Sequence, residues 1–191
     1  MGPSFYRRYV DDIFAVFENK EDSFSFLEYL NTKHENIKFT KEFNVDGKLP
    51  FLDVLVENKN TLRTSVYHKP TFTGLLTNFR SFVPLSYKIR LIKTLIDRIY
   101  KINNTWKGFH ENVEQCAEYL SRNLFPRNVI DRNIKEYLDK KMENGEIGKK
   151  RPIMKIFNIL NHHLLVTFQR PIKGRSQIYT NGSVKRAMNF D

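Results

Sequence analysis

Two short apolar and aromatic runs, residues 5–10 and 13–17, flank Asp11 and Asp12, and this arrangement constrains the chain more than any other. Each run is of strand length, and the break between them carries two adjacent carboxylates, as a hairpin turn would. The second run, Ile13-Phe14-Ala15-Val16-Phe17, has β-branched and aromatic residues at both parities. That pattern predicts a strand covered on both faces. A polar pair is thereby placed at the tip of a buried stem.

The segments that follow extend the β-rich reading. A helix is expected over 23–34, with Asp22 or Ser23 as N-cap and Phe26, Leu27 and Leu30 on one stripe. Alternation of Ile37, Phe39, Phe43 and Val45 with Lys38, Thr40, Glu42 and Asn44 predicts a half-buried strand. Asp46-Gly47 marks a tight turn into a strand over 49–56, and a turn near Asn58-Lys59-Asn60 leads to another over 61–69. Beyond Lys69-Pro70 the periodicity becomes helical. Pro84 stands where a first turn tolerates proline, ahead of a stripe of Ile89, Ile92, Leu95, Ile96, Ile99 and Ile102. Further helices are expected near 111–123 and over 126–143, the latter on Ile130, Ile134 and Leu138. After Gly145 a short apolar helix near 153–160, a strand near 164–168 and a basic tail are expected. The fold class is α+β, divided at 1–69, 70–145 and 146–191.

With 40% hydrophobic residues, including 16 Phe and 9 Tyr, the chain can build a packed core. Lys plus Arg number 32 against 21 Asp plus Glu, a net charge of +11 that suits a phosphate backbone or leaves a solvated basic surface. The single cysteine, Cys116, excludes an internal disulfide and suits a reducing compartment, and its helical spacing with Val113, Ala117 and Leu120 places it in a core. No apolar stretch is long enough to span a membrane, and an intracellular protein is expected.

An Asp-Asp pair alone is more often a solvated turn than a site. Tyr9-Val10-Asp11-Asp12 with a strand on each side is rarer, and fits two carboxylates that hold divalent metal against a nucleotide's phosphates. Phe5-Tyr6-Arg7-Arg8-Tyr9-Val10-Asp11-Asp12-Ile13-Phe14, Ile37-Lys38-Phe39-Thr40 with Glu42, Leu49-Pro50-Phe51-Leu52-Asp53-Val54, and Val66-Tyr67-His68-Lys69-Pro70-Thr71 with Gly74 resemble, in order and spacing, the reverse transcriptases of Penelope-like retroelements. The resemblance covers about residues 3–143. It implies part of a polymerase palm, an antiparallel sheet with a packed helix, followed by a helical thumb. It also implies RNA-directed DNA synthesis on an RNA template and DNA primer with deoxynucleotide triphosphates, two Mg²⁺ ions, Asp11 and Asp12 as metal ligands, and a nuclear location for an active element. The family's first catalytic aspartate and its fingers belong ahead of Met1, so the chain alone is expected to be inactive. Its GIY-YIG endonuclease is not found here.

Other residues carry two readings each. Lys88, Arg90, Lys93, Arg98 and Lys101 lie on one amphipathic helix, either a solvated face or a grip on the primer–template backbone. Tyr9, Lys41 and Asp53 are candidate palm supports. Lys41 is either a general acid near the leaving pyrophosphate or an edge-strand lysine, and Asp53 either touches substrate or bonds backbone or a basic neighbour. His162-His163 has no partner at metal-ligand spacing, and Trp106 with Phe109 suits a helix junction. A non-catalytic nucleic-acid-binding remnant and a helical interaction module are the alternatives to the polymerase reading.

Overall fold

The computed structural model describes residues 2–58, 61–146 and 164–169. Residues 59–60 of the turn expected near 58–60, the helix near 153–160, His162-His163 and the basic tail lie outside the described residues. Two antiparallel sheets and three long helices make up most of the rest.

The first sheet contains β1 (Phe5–Tyr9), β2 (Asp12–Phe17), β3 (Thr40–Phe43) and β7 (Leu164–Gln169) in the order β1-β2-β7-β3. The strand expected near 164–168 is therefore present, and it pairs at the centre of the N-terminal sheet. Ile13 to Phe17 are all buried, as the apolar residues at both parities require. Ile13, Ala15, Phe17, Val166 and Phe168 face α1 (Lys20–Thr32), which covers them with Phe26, Leu27 and Leu30. Phe14, Val16 and Leu165 face the second sheet through Leu49 and Val56. The first helix begins earlier than expected, with Asn19 as N-cap, and the Ser23 hydroxyl donates to the Lys20 carbonyl at 2.6 Å within the first turn.

The second sheet runs β4 (Lys48–Phe51), β5 (Val54–Asn58) and β6 (Leu62–Val66) in that order. A single strand over 49–56 is corrected to a hairpin. Leu52 adopts φ 53° at the turn, and folding back pairs Leu49 with Val56 so that both enter the core. Asp46 and Gly47 do form a tight turn with both φ values positive, as the Asp-Gly pair predicts.

Helices α2 (Leu85–Ile102), α3 (Trp106–Arg122) and α4 (Arg127–Glu143) share one core of Ile92, Ile96, Ile99, Phe109, Leu120 and Ile130. Pro84 occupies the N-cap of α2, and Trp106 packs edge-on against Phe109 at the start of α3. Cys116 is buried here, and that burial pushes its thiol up to about 11. The free edge of β6 is completed by side chains of α3 and of the α2–α3 connection. Thr64 N donates to Asn104 Oδ1 at 3.0 Å, Asn104 Nδ2 donates to the Leu62 carbonyl at 2.9 Å, and Val66 N donates to Asn112 Oδ1 at 3.1 Å. These bonds satisfy backbone groups that an edge strand leaves open, and they fix the helices to the second sheet. Gly74 is favoured by its φ of 74°, and a Cβ there would press on the Tyr119 ring at 3.0 Å. Among the described residues no helix is long and apolar enough to cross a membrane.

Candidate functional site

The β1–β2 hairpin closes with Tyr9 paired to Asp12, so the two turn residues are Val10 and Asp11. Asp12 thus belongs to the strand, and only Asp11 to the turn expected for both. Val10 carries the reversal at φ 53°, a region that β-branched residues rarely enter. Its carbonyl accepts from Arg8 Nε at 2.7 Å, which holds the strained peptide in place.

The expected buried stem is corrected to one buried strand: β2 is covered on both faces, whereas Tyr6 to Tyr9 of β1 are exposed, as is the tip. Tyr9 and Val10 are 62% and 70% exposed, Asp11 is exposed, and Asp12 is half-buried. Asp12 shares the sheet face of Phe14 and Val16, toward the second sheet. Burial, reinforced by the charge of Asp11, raises the Asp12 carboxyl above the ordinary range, and Lys69 partly offsets the rise. A carboxyl raised by burial beside a second carboxylate fits a divalent cation, which would relieve both the desolvation and the repulsion at Asp12. Their hard oxygens suit Mg²⁺. Among the described residues no group of three or more His, Cys, Asp or Glu could hold a metal, so the pair would supply only part of a coordination shell.

Lys41 does not reach this site. It pairs with Phe168, itself paired with Ile13, so it lies on the sheet face opposite Asp12. Its ammonium stands over the Phe24 ring, and burial lowers its pKa, aided by Lys20. β3 is an outer strand, but the Lys41 ammonium is buried against Phe24 rather than turned to solvent. Asp53 sits at the exposed β4–β5 turn, where it pairs with Arg98 on α2, and its carbonyl accepts from Tyr67 N at 2.8 Å. The basic-neighbour reading is the one observed.

The five basic residues of α2 do not form one free face. Lys88 is 7% exposed, with Nζ donating to the Ser81 carbonyl at 2.7 Å, which removes it from any exposed contact surface. Lys93 pairs with Glu136 at 3.3 Å, Arg98 with Asp53, and Lys101 with Asp97 at 2.5 Å. Arg90 remains exposed. Sequence reasoning passed over Arg132 and Lys135 on α4, which lie across that helix from Ile130 and Ile134; the same periodicity that located the core stripe marks the opposite face.

Residues 75–135 match the family model of an animal helix-turn-helix domain. The matched stretch takes in α2, α3 and the first half of α4. Three residues connect α2 to α3 and four connect α3 to α4. No curated protein and no solved structure matches the chain significantly.

Proposed function

We propose that this chain is the carboxylate-bearing and nucleic-acid-gripping part of an RNA-directed DNA polymerase of the Penelope-like type. One observation carries the reading: a hairpin whose second strand, β2, is buried on both faces presents Asp11 and half-buried Asp12 at an open tip. Asp11 and Asp12 would hold Mg²⁺, and two such ions supply charge stabilisation to the attacking 3′-oxygen and the leaving pyrophosphate. The chain's own part is placement. Burial of β2 and β7 fixes the stem, and the Arg8 bond to the Val10 carbonyl fixes the turn that carries Asp11. The second sheet, tied to the α2–α3 connection through Asn104 and to α3 through Asn112, would form a support for an RNA template and DNA primer. Such an enzyme would work in the nucleus.

The likeness of residues 75–135 to a helix-turn-helix domain favours a second reading, a nucleic-acid-binding module without turnover. Primer extension separates the two. In a polymerase that carries this chain as its palm and thumb, Asp11→Asn and Asp12→Asn should each lower kcat by at least about 10³-fold while primer–template affinity stays within about twofold, because only metal placement is lost. Near-normal extension by the double variant would leave the binding module as the surviving reading.

A further inference from the structure

The described residues surround an apolar cavity of about 50 Å³ where β6, the 67–76 loop, α2 and α3 meet. Ile99 and Cys116 form its buried floor, and Val66 and Leu95 its walls. It opens at a rim of His68, Phe72 and Arg98, all three exposed. Close packing ordinarily fills such a space. Here β6 is held by Asn104 and Asn112, and the loop is held by Asn123, whose Nδ2 donates to the Gly74 carbonyl at 2.8 Å and whose Oδ1 accepts from Leu76 N at 3.0 Å. The walls are thereby fixed before anything binds.

The rim has an aromatic side and a charged side. The His68 ring stacks on Phe72 at 4.3 Å between centroids, and both rings stand edge-on to Tyr119 at 5.6 and 5.2 Å. Burial, reinforced by Arg98 and partly offset by Asp53, lowers the His68 pKa below the ordinary range, so its ring is a neutral wall at pH 7. The charge at the opening is the Arg98 guanidinium. It meets Asp53 through Nη2, and a guanidinium has further N–H donors to offer. Asn112 Oδ1 is already taken by Val66 N at 3.1 Å, which leaves the donor end of that amide. The polar part of the lining therefore favours an acceptor, and the remainder favours hydrocarbon.

We propose that this cavity binds a small carboxylic acid with a short branched apolar tail, the tail resting on Ile99 and Cys116 and the carboxylate held by Arg98. An apolar cavity of about 150 Å³ takes a benzene ring, so this smaller one selects a tail of a few carbons over any ring. A carboxylate matches the planar fork of a guanidinium, and Asp53 is its competitor for that group. The site is separate from the Asp11–Asp12 hairpin, and it stands whether or not that hairpin holds metal.

The test is a titration of the isotopically labelled full chain with 3-methylbutanoate, read from its amide and methyl signals. Saturable shifts in the millimolar range should centre on Val66, Leu95 and Ile99. The neutral 3-methylbutanamide, which keeps the tail, should bind about tenfold more weakly or worse, and Arg98→Gln should weaken the acid by as much, since each loses a charge-assisted bond. Asp53→Asn should tighten binding about two- to fivefold by releasing Arg98 from an exposed pair. Cys116→Leu, which fills the floor with apolar atoms, should abolish the shifts. Shifts centred elsewhere, no saturation, or equal affinity for acid and amide would overturn the proposal. So would an affinity that neither Arg98→Gln nor Asp53→Asn alters in variants with parental circular dichroism.

Discussion

Replacing Thr167 with valine should stabilise the protein. Thr167 lies on the central strand β7 between Phe14 and Glu42, is 0% exposed, and its Oγ1 has no hydrogen-bond partner among the described residues. A buried hydroxyl without a partner costs about 1–3 kcal/mol relative to its hydrated state. Valine replaces that hydroxyl with a methyl of similar size and keeps the branched Cβ that strands favour. The gain should therefore approach the whole penalty, about 1–3 kcal/mol, or roughly 2–10 °C in Tm for a chain of this length. Thr167→Ser should move the other way by about 1 kcal/mol, because it keeps the stranded hydroxyl and deletes a packed methyl. Urea and thermal unfolding of the three proteins measure both signs. A valine variant less stable than the parent would show that the hydroxyl is satisfied, and would refute the reasoning.

Glu42 faces the same interior, and burial raises its carboxyl above the ordinary range. Its folded-state pKa exceeds the unfolded one, so ionisation costs stability, and the cost enters as pH rises through that window. Glu42→Gln should then match the parent at low pH and exceed it in Tm at neutral pH; a gap that does not change with pH would contradict this. Lys88→Gln should lose about 1.5–3 kcal/mol through the broken charged bond to the Ser81 carbonyl and leave the salt dependence of DNA binding untouched. A flattened salt slope in that variant would return Lys88 to the nucleic-acid face.

Local pattern made much of the fold legible, and it failed where a conformation had no residue signature. The uninterrupted run from Ile13 to Phe17 announced a strand covered on both faces, and the isoleucine stripe of α2 announced its buried side. Leu52 and Val10 both take positive φ without being Gly, Asn or Asp, so one strand was read where two exist and the turn was placed one residue late. The partner of β2 lies about 150 residues away in β7, and periodicity carries no information on pairing at that range. At the site, Asp11 and Asp12 were found because carboxylates in a strand break are conspicuous. Lys88 was misplaced because a long side chain on the edge of a polar face can turn inward to a loop carbonyl that only the folded chain supplies.

The central claim is that the hairpin tip is a divalent-metal site, and paramagnetic Mn²⁺ reports weak sites directly. Amide signals of the isotopically labelled chain should be followed as substoichiometric Mn²⁺ is added. Val10 to Ile13 should broaden first, and Asp11→Asn with Asp12→Asn should abolish that broadening without altering the rest of the spectrum. Broadening that begins elsewhere, or that persists at Val10 to Ile13 in the double variant, would contradict the account.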